Sequence, residues 1–424
     1  MTSDRDIVIK QARIVDPVSG LDAVRDIRIR GGRFDQVRPD IAPGSEDVIH
    51  ADGLTAAPGL MDAHVHFRDP GQTWKEDIAS GCRSAARGGF TRVVCMANTV
   101  PPVDSIETLR YALEKGAQSG IHMMQAATVT RGMKGQELTD MKALREAGAA
   151  AFTDDGVPLM NEALLTQAML WARELGAVIS LHEEDPLFVY AAGVNAGRIS
   201  EQLGYPGASH TAEDVLAARD CTLALHTGAR LCVQHISSRI SVEHVRLARR
   251  LGADVHAEAT PHHFTLTEEA VLRYGTNARM NPPLRTEEDR REIIRGLQDG
   301  TIDMIVTDHA PHAPQEKAQA LPQAPSGIIG LETSLALGIR SLVQPGHLSL
   351  MRLIELMSSS PARIYSIPEP TIQEGAEADL VLFGEEEPWT VDHFCSKSSN
   401  SPFLGWTLPG RIHMTVCGGR VVYS

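Results

Sequence analysis

The chain has no C-x-x-C pair: its six cysteines, Cys82, Cys95, Cys221, Cys232, Cys395 and Cys417, are scattered through 424 residues. Neither a disulfide framework nor a zinc ribbon is suggested, and reduced, buried thiols of a cytosolic protein are expected. Basic residues are the minority, 40 Lys plus Arg against 54 Asp plus Glu, for a formal charge of −14. That balance argues against nucleic acid or an anionic membrane as the main partner, and a small anionic ligand would need a local basic pocket. No apolar run reaches the ~18 residues of a membrane span. The start, Met1-Thr2-Ser3-Asp4-Arg5-Asp6, also lacks the cationic and apolar segments of a signal peptide. A cytoplasmic location is expected. Three catalytic signatures are missing as well. His182 is followed at the fourth position by Pro186 rather than by a second histidine, and neither a G-x-S-x-G elbow nor a G-x-x-x-x-G-K-[ST] loop occurs.

What is present is globular: 42% hydrophobic and 22% charged residues. The length amounts to roughly three domain-equivalents, which one large barrel with appendages also satisfies. From about residue 59 to about residue 360, short β-prone apolar runs alternate with helical stretches. The runs cover residues 59–66, 91–98, 121–128, 149–155, 177–182, 230–235, 253–260 and 303–308. Strands apolar almost throughout suit a parallel sheet covered on both faces, so eight such units predict an α/β protein, a (β/α)8 TIM barrel over residues 59–364. Helix starts are expected at Thr73 with Glu76 and at Asp104 with Glu107, which have capping-box spacing. Alternating stretches at 6–15 and 26–30, and again at 379–383, 413–417 and 420–423, lack enough strands at either end to bury a face alone. Residues 1–58 and 365–424 are therefore expected to build one small composite β-sandwich. Residues 313–326, rich in Ala, Gln and Pro, form a candidate mobile loop over the site.

The chemistry lies where the strands end. His64 and His66, Asn98, Asp155, His182, His235 and Asp308 each sit at or just beyond the close of an apolar run. A βα barrel brings all these ends to one rim, so residues distant in sequence meet there. In His64-Val65-His66 the two imidazoles share one strand face, and histidine with carboxylate oxygen suits Zn²⁺ or a similar divalent ion. A lone strand-end histidine is more often a hydrogen-bonded core residue; the case rests on all of them falling at strand ends together. Within Phe152-Thr153-Asp154-Asp155-Gly156 either aspartate is suited to bridging two ions, the other to capping a turn.

These residues fall in longer motifs: Asp62-Ala63-His64-Val65-His66-Phe67-Arg68-Asp69-Pro70-Gly71, Met96-Ala97-Asn98-Thr99, His182-Glu183-Glu184-Asp185, His235-Ile236-Ser237-Ser238, Thr260-Pro261-His262-His263, Asn281-Pro282-Pro283-Leu284-Arg285 and Thr307-Asp308-His309-Ala310-Pro311-His312. With Gly327 to Thr333, Ser358 to Arg363 and Ser398 to Phe403, the set resembles the bacterial type I dihydroorotases of the amidohydrolase superfamily over nearly the whole chain. The resemblance implies two zinc ions, one on His64, His66 and Asp308, the other on His182 and His235, with Asp155 bridging. It implies reversible hydrolysis of the cyclic amide of dihydroorotate to carbamoyl aspartate, with Asp308 moving the proton, as a step of pyrimidine biosynthesis. Arg68, Asn98 and His312 are implied to hold the substrate carboxylate, with Asn281 also touching substrate, while His262 and His263 are taken as supporting groups. A homodimer, and association with aspartate transcarbamoylase, are family-level expectations.

One absence fits the resemblance and one residue departs from it. Relatives of the hydantoinase and allantoinase types bridge their ions with a carboxylated lysine, and no lysine occurs between Lys142 and Lys317. Glu183 stands where relatives commonly have Cys, so an added negative charge beside a ligand is expected. Two other readings compete. Another cyclic amidase, a dihydropyrimidinase or allantoinase, is disfavoured by the missing lysine and by Arg68. A non-catalytic scaffold for aspartate transcarbamoylase is disfavoured because all six ligands are present.

Overall fold

The computed structural model describes residues 6–424; residues 1–5, part of the start read above, lie outside the described residues. Five strands pair early: β1 (Ile7–Asp16), β2 (Leu21–Arg30), β3 (Arg33–Arg38), β4 (Asp47–His50) and β5 (Thr55–Pro58). Three more come from the other end of the chain, β14 (Leu380–Gly384), β17 (Arg411–Cys417) and β18 (Arg420–Tyr423). Together they make one sheet in the order β18-β17-β14-β5-β1-β2-β3, with β4 alongside β1. The seam is the antiparallel pairing of β5 with β14, Leu380 opposite Pro58 and Phe383 opposite Thr55. Alternation on these strands points Ile7, Ile9, Ile14, Ile27, Ile29, Leu380, Leu382 and Val416 into a shared apolar cluster closed by Phe34.

Between the two ends lie eight parallel strands. A three-stranded sheet holds β6 (Leu60–Val65), β7 (Phe90–Cys95) and β8 (His122–Gln125). A five-stranded sheet holds β9 (Ala151–Phe152), β10 (Val178–Leu181), β11 (Arg230–Val233), β12 (Val255–Ala259) and β13 (Met304–Ile305). Single parallel bridges join the two sheets at both sides, Ala127 to Phe152 and Val65 to His309. Each strand falls inside one of the eight apolar runs or within one residue of it. Helices between them bury one face each; Glu162–Glu174, for example, buries Leu165, Ala168, Met169 and Ala172. Among the described residues no helix is long and apolar enough to cross a membrane.

Both expected helix starts move. The first helix is Ile78–Arg87, capped by Asp77 in a box with Ser80, not by Thr73 and Glu76. Glu76 is buried and committed elsewhere, accepting from the Ser396 hydroxyl and the Lys397 backbone N–H. The second is Ile106–Gly116, capped by Ser105, because Asp104 accepts from the Gly132 N–H instead. The remaining short strands, β15 (Trp389–Thr390) and β16 (Thr407–Leu408), pair only with each other. They flank a C-terminal stretch that leaves the large sheet and runs back to the parallel strands.

Candidate metal centre and substrate cavity

The parallel strands deliver their polar ends to one place. His64 lies on β6 and His66 one residue past its end, where the His66 N–H donates to the His309 carbonyl at 2.9 Å. Asp62 lies two residues before His64, accepting from the His64 N–H at 3.0 Å and the Thr307 N–H at 3.1 Å. That fully buried carboxyl, pushed up to about 7 by burial, ties the strand of His64 to the chain just before Asp308. His182 follows β10 directly, His235 follows β11 by two residues, and Asp308 follows β13 by three. Arg68, His235 and Asp308 have positive φ, at 56°, 29° and 46°, three of only six such non-glycine residues among those described. Each left-handed residue costs on the order of 1 kcal/mol, which the surrounding structure has to offset. The strand thereby turns at once while its side chain stays in the cluster.

His66 Nε2 lies 3.0 Å from Asp308 and 3.4 Å from Asp155. His64 Nε2 lies 3.5 Å from both carboxylates. His235 Nε2 is 3.7 Å and His182 Nδ1 3.9 Å from Asp155, and these two nitrogens are 3.0 Å apart. Two sets, His64 with His66 and Asp308, and His64 with Asp155 and His235, place their ligand atoms within 4.8 Å of one another. Asp154 turns away: it accepts from the Val129 and Thr130 N–H groups at 2.8 and 3.1 Å. Burial opposes a charged His64, yet Asp155, Glu258 and Asp308 outweigh it and hold the imidazole well above its ordinary range. The centre is thus a concentration of negative charge that a cation relieves. His64 Nε2, Asp155 Oδ1 and His235 Nδ1 are buried without any hydrogen-bond partner. Buried polar atoms rarely go unpaired, and this donor set fits a divalent metal.

A cavity of about 210 Å³ opens onto this cluster and is lined also by Arg68, Asn98, Asn281, His312 and Gly327. A larger one, about 410 Å³, lies elsewhere beside Arg87, Trp389 and Arg411, with no such cluster of ligands. Arg68 is only partly exposed, forms no salt bridge among the described residues, and donates only a long bond, 3.4 Å, to the Pro311 carbonyl. An unpaired, sheltered guanidinium is the local basic site that an overall acidic chain needs for an anionic ligand. Asn281 Oδ1 and His312 Nδ1 are likewise buried and unpaired. Asn98 differs: its carbonyl oxygen lies 2.9 Å from His66 Nδ1 and its amide donates to Asp155 at 3.2 Å, so it first braces the ligands. His263 sits between the Thr260 hydroxyl at 2.8 Å and the Pro282 carbonyl at 3.0 Å, fixing the loop of Asn281. His262 is buried beside it, its Nε2 unpaired.

Burial first, and then the neighbouring Asp220, push the Glu183 carboxyl well above the usual range, which opposes the added negative charge. Three contributors were not singled out from the sequence: Glu258, 2.9 Å from His64 Nδ1; Glu184, 3.0 Å from His182 Nε2; and Asn400, although Glu184 and Asn400 lie inside the motifs that carry the resemblance. Asn400 donates to the Ala310 and Gly327 carbonyls at 2.9 Å and accepts from the His312 N–H at 3.0 Å, pinning the cavity rim from the C-terminal stretch. Gly327, with φ at 151°, permits this closeness, since a Cβ there would lie 2.7 Å from the Ala310 oxygen and from the His312 ring.

Residues 313–326, expected as a loop, carry a short helix, Pro314–Lys317, and a buried lysine. Lys317 donates to the Pro325 and Gly327 carbonyls at 2.9 and 3.1 Å. Burial, aided by Arg279, pushes its pKa down from 10.5 to about 7. Between those values the unfolded chain binds the proton and the folded one does not, so stability rises with pH across that window. Lys317→Met is expected to flatten the rise in melting temperature of the metal-free protein between pH 7 and 10. A variant whose profile runs parallel to wild type would contradict the depressed lysine.

Comparison with known proteins follows the same lines. The amidohydrolase family matches residues 55–422. A dihydroorotase of Clostridioides difficile is 55% identical over 99% of this chain and 100% of its own length. One from Streptococcus pneumoniae is 46% identical over 99% and 100%. Among solved structures, the L-hydantoinase of Arthrobacter aurescens superposes with a TM-score of 0.87 at 26% identity, covering 98% of this chain and 96% of that one.

Proposed function

The chain belongs to the amidohydrolase family and, within it, to the dihydroorotases, and we propose that it reversibly hydrolyses (S)-dihydroorotate to N-carbamoyl-L-aspartate in pyrimidine biosynthesis. The observation that carries the reading is one cavity lined by five of the six prospective metal ligands, with His64 buried behind them, and by a guanidinium that is unpaired among the described residues. We also read the eight parallel strands, bridged at both sides, as one (β/α)8 barrel over residues 59–364. The described part of residues 1–58 and residues 365–424 then form the composite β domain, built on one shared sheet rather than the two of a sandwich, from which the stretch around Asn400 returns to the barrel.

On this reading His64, His66 and Asp308 would hold one zinc, His182 and His235 a second, and Asp155 would serve both. Bound zinc supplies an acidified water and a polarised amide carbonyl at neutral pH. Asp308 takes one proton from the attacking water and passes it to the ring nitrogen as the C–N bond breaks; the water's other proton leaves to solvent as the new carboxyl ionises, and the reverse transfers close the ring. Arg68 pairs with the substrate carboxylate, Asn281 and His312 complete the pocket, and Asn98 both braces His66 and borders the substrate. Burial and nearby cations push His312 down to about 2, so its ring enters the site neutral.

The test sets dihydroorotate beside dihydrouracil and allantoin, with zinc counted per chain. Turnover of dihydroorotate alone, two zinc ions per chain, and loss of activity on chelation with recovery on zinc return are expected. Turnover of only the uncharged rings would overturn the substrate. A folded chain that takes up no zinc and turns over nothing would indicate a scaffold instead.

A further inference from the structure

Glu258 is an anomaly in a strand core. It lies on β12 with no exposed surface, and among the described residues it pairs with no lysine or arginine. A carboxylate stripped of water costs several kcal/mol unless the structure uses it. Its contacts show where that use lies. Oε2 is 2.9 Å from His64 Nδ1 and accepts from the His235 backbone N–H at 3.3 Å, while Oε1 accepts from the Cys232 thiol at 3.3 Å. One carboxylate thus reaches two separate strand ends that carry prospective zinc ligands. The opposite nitrogen of the same ring, His64 Nε2, is the atom left buried and unpaired 3.5 Å from Asp155 and Asp308.

We propose that Glu258 is a positioning residue for the metal centre: it fixes the His64 ring as the Nδ1–H tautomer, presenting the Nε2 lone pair to the ion. The inference rests on the zinc reading above. A carboxylate acceptor behind a ligating imidazole both aims the ring and strengthens it as a donor, and losing it costs about 10–100-fold in metal affinity in comparable sites. Glu258 touches neither substrate nor the reacting atoms. Its loss is therefore felt in zinc retention before it is felt in the chemical step.

The experiment compares wild type with Glu258→Gln, which keeps the volume and one acceptor but removes the charge. Zinc affinity is read by competition with a chromophoric chelator, and the melting temperature is taken on metal-free protein. The expected result is zinc affinity weakened about 10–100-fold, an unchanged melting temperature, and activity recovered by excess zinc with KM for dihydroorotate unmoved. A variant that binds zinc as tightly as wild type overturns the proposal, whatever its melting temperature. Wild type that binds no zinc would instead remove the zinc reading itself. Should the variant not fold, ¹⁵N spectra of histidine-labelled, zinc-loaded wild type decide the matter. A His64 ring that binds zinc through Nε2 and keeps its proton on Nδ1 supports the proposal, and one that binds through Nδ1 overturns it.

Discussion

Asp308→Asn is expected to lower kcat by about 10²–10⁴-fold while leaving the fold and much of the metal in place. The substitution keeps the side chain's shape and one oxygen that still faces His66. What it removes is the capacity to accept a proton. Burial would favour the neutral acid, but His64 first, and then His66, overcome it and hold Asp308 well below the usual carboxylate range. A group so held is ionised at neutral pH and lies among the same atoms where the water is to be activated. A matched loss in kcat and kcat/KM, with zinc content near wild type, is the expected signature. An Asp308→Asn enzyme turning over at near wild-type rate would exclude the proton-transfer role.

Arg68→Ala acts on a different quantity. Among the described residues the guanidinium has no carboxylate partner, so a substrate carboxylate would supply the strong ion pair it lacks. Truncating one partner of a sheltered, hydrogen-bonded charge pair costs about 2–4 kcal/mol, or roughly 30–700-fold in KM. Arg68→Lys is expected to recover only part of this, because the planar fork that matches a carboxylate is lost. Zinc content and melting temperature should stay close to wild type in both. Equal KM values for wild type and Arg68→Ala would place the substrate carboxylate elsewhere.

The sequence was most readable where one physical rule acted alone. Strands buried on both faces must be apolar, and a polar side chain at the end of such a run stands out; hence His182, His235 and Asp308 could be marked before their neighbours were known. Helix caps were less readable because several residues compete for one role. Thr73 with Glu76 has the spacing of a cap, but Glu76 serves Ser396 and Lys397, and Asp77 takes its place. That outcome depends on residues more than 300 positions away, which no local pattern reports.

The same limit explains the supporting groups. In Val255-His256-Ala257-Glu258-Ala259 the glutamate reads as an ordinary polar member of a strand, and only the packed structure turns it inward to His64. Lys317 sits in a stretch without periodicity, and nothing local shows that its amine meets two carbonyls of the segment it closes. Asp155 and Asp154 were equivalent as strand-end residues, and only the resemblance, through the spacing to His182, favoured Asp155. Their difference is tertiary: the Thr130 turn satisfies Asp154, leaving Asp155 to the histidines.

The pairing of β5 with β14 also bears on how the protein is made. The first five strands leave the ribosome with one flank of their sheet bare, and the apolar cluster beneath them lacks Leu380, Leu382 and Val416. At about 5–20 residues per second, translation of the roughly 300 intervening residues takes on the order of 15–60 s. Throughout that interval Thr55 to Pro58 offer a templating edge, its last residue a proline unable to donate a hydrogen bond. Nascent chains stalled before residue 380 should therefore be the aggregation-prone and chaperone-bound species during synthesis.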